Sequence, residues 1–115
     1  MRQGFEDETP QNVQNTLTEL TARAGAGSVQ TSAIGCQRLI VCGGGALNRY
    51  LMQRLQTLLP DCAVHDSGHY GLPPLQVEAS AFAWLARQCV LRQTGSVESV
   101  TGARGARILG AIYPR

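Results

Sequence analysis

The residues Leu39-Ile40-Val41-Cys42 form a short apolar run of β type that stops abruptly at three consecutive glycines, Gly43, Gly44 and Gly45. From Leu47 the period changes. Leu47, Leu51, Leu55, Leu58 and Leu59 fall on one face of a helix, which Pro60 closes. A buried strand therefore delivers the chain to residues without Cβ atoms, where a ligand can approach the backbone. The helix behind offers unpaired N–H groups and the positive end of its dipole, so the arrangement suits a nucleotide or an anion. The competing reading is a tight strand-to-helix turn whose glycines only permit close packing.

The remainder of the chain supplies the elements around this unit. Residues 1–11 read as a flexible lead-in. Asn12 is the expected N-cap of a helix carrying Val13, Leu17, Leu20 and Ala24 on one face and fraying at Gly25 and Gly27. Ala63-Val64-His65 reads as a second strand, and Asp66 to Pro74 as a loop. A helix from about Gln76 to Arg92 is apolar nearly all round, which predicts burial on most sides, Trp84 included. Ile108 to Tyr113 reads as a third strand. This order predicts an α/β fold, a mixed sheet with packed helices.

Composition narrows the function classes. Ten arginines, no lysine and eight acids leave a scattered net charge of +2, far from the dense basic stripe of a nucleic-acid binder. No apolar run approaches the roughly 20 residues of a membrane span. Cys36, Cys42, Cys62 and Cys89 include no CxxC pair, which argues against structural zinc. Cys42 and Cys89, within apolar runs, read as small core residues. The polar, acidic N-terminus has no hydrophobic leader, which predicts a cytoplasmic chain with reduced thiols. His65 and His69 are four apart, but Gly68 lies between them and no helical face is expected to bring them together. No metal site is expected.

Spacing separates the nucleotide folds. Gly43-x-Gly45 is followed by Asn48 where a dinucleotide fingerprint needs its third glycine, although Asp66 sits where a ribose-binding acid would. A small Rossmann-type dinucleotide-binding module is thus one reading. A Walker A loop needs a lysine and is excluded.

Three blocks account for more of the chain: RLIVCGGGALNRYLMQRLQTLLP, HYGLPPLQVEASAFAWLA and SVTGARGARILGAIYP. A strand ending in GGG before a helix resembles the adenosine motif of the sugar kinase, actin and heat-shock ATPase superfamily. The three blocks together resemble the C-terminal third of bacterial anhydro-N-acetylmuramic acid kinase, from about Asn12 to Pro114.

That resemblance implies a partial ribonuclease-H-like (actin-like ATPase) lobe spanning residues 12–115. It implies ATP, with Mg²⁺ in the complete enzyme, and a reaction of peptidoglycan recycling. The 1,6-anhydro ring is opened and O6 phosphorylated, giving N-acetylmuramic acid 6-phosphate. Gly43, Gly44, Gly45 and Asn48 match the nucleotide-binding motif, and Glu78 matches a contact to anhydro-N-acetylmuramic acid. The family chain is roughly three times longer, as suits a two-lobed kinase, and no residue here matches its water-activating aspartate. The expectation is a fragment with no catalytic residue of its own, inactive alone and able to form a homodimer. A remnant that only binds a partner is the non-enzymatic alternative.

Overall fold

The structure, a computed structural model, describes residues 8–32 and 35–114. Its elements are α1 (Pro10–Ser32), β1 (Arg38–Val41), α2 (Arg49–Leu58), β2 (Ala63–Asp66), α3 (Val77–Val90) and the one-turn α4 (Glu98–Thr101). Short 3₁₀ turns occupy Gly44–Leu47, Ser67–Tyr70 and Pro74–Gln76. The chain divides into two compact units between Pro74 and Leu75. None of the described helices is long and apolar enough to cross a membrane. Of the expected lead-in, residues 1–7 lie outside the described residues.

In the first unit, β1 and β2 form a two-stranded parallel sheet in which Val41 pairs with Asp66 and Arg38 with Ala63. α2 crosses between them. Most of its leucines fulfil the spacing, because Leu51 and Leu55 are buried, Leu58 packs against them half-buried and Leu59 closes the core just beyond the helix. Leu47 does not, since it lies in the 3₁₀ turn before α2 and is 63% exposed. Each buried leucine contributes about 1.5–3 kcal/mol relative to exposure. The fold is therefore α/β, with helices packed beside a small parallel sheet.

α1 departs from the expectation in three ways. Its first turn is capped by Thr9, whose Oγ1 accepts from the Asn12 N–H at 3.2 Å, with Pro10 at the first helical position. Asn12 is thus inside the helix. The helix also continues through Gly25 and Gly27 to Ser32. Tertiary packing outweighs the glycine cost here: Ala22 and Ala26 are buried, and Gln30 Nε2 donates to the Leu58 carbonyl at 3.2 Å. Finally, the buried face is Thr18, Ala22 and Ala26, not the larger residues. Ala22 is fully buried, whereas Leu17 is 53% and Leu20 64% exposed. Small side chains let α1 approach α2 closely, and that approach selects the face.

The second unit corrects two further expectations. α3 has no buried residue, and Trp84 is half exposed. Phe82, Leu85, Ala86 and Cys89 line an apolar hollow of about 460 Å³ together with Leu109–Ile112, and of these four Leu85 and Cys89 are half-buried while Phe82 and Ala86 stay exposed. Residues 108–113 form no strand. Gly110 has φ +95°, which breaks an extended conformation in the middle of that segment. The cysteine expectation changes as well, because Cys42 is exposed and Cys89 half-buried.

Candidate functional site

Parallel pairing places the C-terminal ends of β1 and β2 side by side. The glycine turn leaves from one end and the Ser67–Tyr70 turn from the other. A hydrogen bond from the Gly43 N–H to the Pro74 carbonyl, 2.9 Å long, fastens the end of the second loop to the first. The strand-end crevice of open α/β sheets is where such folds hold ligands.

The three glycines do different things. Gly43 sits at φ +73°, ψ −170°, a conformation essentially reserved for glycine. It turns the chain sharply out of β1. Gly44 requires no positive φ, and a Cβ built on it meets nothing within 4 Å. The backbone there is open to an incoming molecule. Gly45 is closer to the packing alternative, since its Cβ would lie 3.4 Å from Leu51 Cδ2.

Between the triplet and α2 the chain makes a 3₁₀ turn over Gly44–Leu47, so α2 itself begins only at Arg49. Asn48 is its N-cap. The Asn48 side-chain oxygen accepts from the Leu51 N–H at 3.1 Å, satisfying one of the donors that a helix start leaves free. The dipole end is therefore one turn beyond the glycines, and the Asn48 carbonyl oxygen serves the helix. Asn48 also lines a small hollow of about 210 Å³ with Gln14, Thr18 and Leu51, between α1 and α2.

Asp66 stands on the correct edge for a ribose contact, but its Oδ1 accepts from the His69 N–H at 3.2 Å and caps the turn that follows. This cap folds the chain back on itself. The His65 and His69 rings stack with centroids 4.2 Å apart and planes 7° from parallel, and Tyr70 meets His69 edge-on at 5.0 Å. No helical face joins these histidines, one at a strand end and one in the following turn; the capped turn stacks them instead. Beside them Ser67 is buried, and its Oγ has no hydrogen-bond partner among the described residues. The bare sequence carries no signal for that orphan hydroxyl; Asp66 three residues before His69 is the signal for the turn.

Gly43, Gly44, Gly45 and Asn48 thus belong to the first unit. Glu78 belongs to the second, where it is exposed in the first turn of α3. A carboxylate there is favoured by the helix dipole. Among the described residues no group of three His, Cys, Asp or Glu side chains could hold a metal ion.

Fold and site together define an α/β protein whose glycine turn, at the shared strand ends, is open to a ligand. The comparison with known families is more specific. The family described as anhydro-N-acetylmuramic acid kinase matches residues 1–115, and the chain belongs to that kinase family. It is 61% identical over 110 residues to the protein named anhydro-N-acetylmuramic acid kinase from Albidiferax ferrireducens, covering 96% of this chain and 28% of that one. The namesake from Cupriavidus pinatubonensis is 58% identical, over 93% of this chain and 28% of its own length. That from Variovorax paradoxus is 57% identical, over 91% and 28%. The chain therefore spans a little over a quarter of the length of these relatives.

Proposed function

We propose that this chain is the C-terminal segment of an anhydro-N-acetylmuramic acid kinase, part of an actin-like, ribonuclease-H-like nucleotide-binding lobe. In the complete protein it receives the adenosine end of ATP at the Gly43–Gly45 turn. The observation that carries this reading is the open backbone at Gly44, beside a Gly43 whose conformation bars any side chain. The Ser67 hydroxyl at the neighbouring strand end is buried and has no hydrogen-bond partner among the described residues, so it is not itself a surface for the ligand. These features fit a nucleotide better than they fit a turn serving packing alone.

The complete enzyme adds water across the anhydro bridge, breaking the C1–O6 bond, and O6 takes the γ-phosphoryl group of ATP while ADP leaves. The product is N-acetylmuramic acid 6-phosphate, formed in the cytoplasm during peptidoglycan recycling. This chain's share is binding. Gly43 and Gly44 let the nucleotide approach the backbone, Asn48 holds the start of α2 in place, and Glu78 contacts the sugar. Mg²⁺ accompanies the phosphates of ATP, and the described residues offer no three-donor cluster for it. Membership of the kinase family speaks against the dinucleotide-binding module, and the Asp66 Oδ1 already accepts from the His69 N–H.

The test is Gly44→Val in the complete kinase. Open space around Gly44 lets the fold survive, while the branched side chain occupies the ligand's approach. ADP affinity should drop at least about tenfold, a loss of roughly 1.4 kcal/mol. Unchanged ADP binding in a folded variant would reduce the turn to packing.

A further inference from the structure

Parallel pairing also brings together the N-terminal ends of the two strands, the edge opposite the glycine turn. Cys36 lies two residues before β1 and Cys62 immediately before β2. The Ala63 N–H donates to the Gln37 carbonyl at 2.9 Å, which locks the two approaches side by side. As a result the sulfurs of Cys36 and Cys62, 26 residues apart in sequence, lie 3.4 Å from each other. Both thiols are free. A disulfide needs about 2.05 Å between its sulfurs, so closing the bond asks for a shift of little more than an ångström.

The two thiols are not equivalent. Cys62 is buried at 4% exposure, and burial pushes its thiol above the ordinary range, helped by the hydrogen bond with Cys36. Cys36 is only half-buried, and its Sγ lies 3.2 Å from the Arg38 carbonyl. A hollow of about 290 Å³ is lined by both cysteines together with Val29, Leu59, Pro60 and Asp61. It gives a small molecule a route to the pair.

We propose that Cys36 and Cys62 are a redox-active pair, oxidised to an intrachain disulfide by a low-molecular-weight disulfide such as glutathione disulfide. The more accessible Cys36 reacts first. Its thiolate attacks one sulfur of the oxidant, the oxidant's S–S bond breaks, and the departing thiolate takes up a proton. Cys62 then loses its proton to solvent, and its thiolate attacks the Cys36 sulfur and expels the second small thiol. Two protein thiols are oxidised and one small disulfide is reduced to two thiols. The bond staples the start of β1 to the start of β2, at the edge of the sheet opposite the glycine turn.

The experiment uses the purified chain, incubated with glutathione disulfide at neutral pH, then digested without reductant and mapped by mass spectrometry. The expected result is a dominant Cys36–Cys62 cross-link and the loss of two of the four titratable thiols, both restored by dithiothreitol. The same incubation in concentrated urea should erase the preference for this pair, since folding is what brings the sulfurs together. Stable glutathione adducts with Cys62 left free would overturn the proposal. So would cross-links to Cys42 or Cys89 of equal yield, or a preference that persists in urea.

Discussion

Glu19 of α1 and Arg54 of α2 form a two-point ion pair, with Nε 2.7 Å from one carboxylate oxygen and Nη2 3.0 Å from the other. Arg23, one turn further along α1, adds a third contact at 2.7 Å. The two guanidinium groups, Arg54 foremost, hold the Glu19 carboxyl down at about 2 from an ordinary value of 4.5, and the same pairing raises Arg54. The bidentate geometry ties the helices at the edge of their small-residue contact.

The pH dependence follows from the sign of that shift. An unfolded chain takes up the Glu19 proton near 4.5, the folded chain only near 2. The pair's stabilisation is therefore complete above about 4.5 and is lost as pH falls through about 2. Urea midpoints of the wild type and of Glu19→Gln should differ most above pH 4.5 and converge toward pH 2. A gap that stays constant across this window would show that the pair contributes nothing through its charge.

The face of α1 yields a paired prediction. Ala22 is fully buried between the helices, so Ala22→Leu should overpack the contact and cost about 1–3 kcal/mol. Leu17 is mostly exposed, and Leu17→Ser should stay within about 0.5 kcal/mol of the wild type. Chemical denaturation followed by circular dichroism separates the two. The reverse ranking would restore the face with the larger side chains as the buried one.

These particulars also show where the sequence is readable. β1, the glycine stop, α2 and β2 are local patterns: an apolar run, a conformational break, then leucines at helical spacing. Even so, β1 starts at Arg38, ends at Val41 and is not the buried strand expected, with Ile40 50% exposed. The α1 register is not local. Val13, Leu17 and Leu20 make the stronger apolar stripe, but α2 accepts only the smooth stripe of Thr18, Ala22 and Ala26, and nothing in α1 alone announces that choice. The expected third strand does not form: residues 108–113 join no sheet, and Gly110 turns the backbone at φ +95° in the middle of the segment, an angle that composition does not reveal. Within the site, the glycine triplet is visible as a unit. Its division into a turn residue, an open residue and a packed residue depends on Leu51, which only the fold brings against Gly45.

Asn48 permits structure and ligand binding to be measured apart. As the N-cap of α2 it accepts from the Leu51 N–H, and aspartate can accept the same bond. Asn48→Asp should keep the stability of the wild type, whereas Asn48→Ala should lose about 0.5–2 kcal/mol. If the residue also meets the nucleotide, as proposed, the added negative charge of Asn48→Asp should weaken ADP binding in the complete kinase without loosening the fold. A stable Asn48→Asp protein with unaltered ADP affinity would confine the residue to capping.

The last prediction is that this chain alone transfers no phosphate to anhydro-N-acetylmuramic acid. Three acids deserve to be weighed as the base that would activate water. Asp61 precedes β2, whereas the glycine turn follows β1; in a parallel pair these are opposite edges, roughly 15 Å apart at 3.3 Å per residue. Asp66 is on the correct edge, but its Oδ1 accepts from the His69 N–H, and drawing the carboxylate away from that bond would open the turn that stacks the histidines. Glu78 is exposed in the first turn of α3, whereas a general base has to be held within hydrogen-bond reach of the proton it takes. Positioning of the reactants, worth roughly 7–11 kcal/mol of a barrier, also needs walls on both sides of a cleft. The measurement is sugar-dependent release of ADP from Mg-ATP by the purified chain, with the complete kinase as the positive control. Background rates are expected. Turnover above background that disappears in Asp66→Asn would show that the turn opens in solution and that this carboxylate, not one elsewhere in a longer protein, is the base.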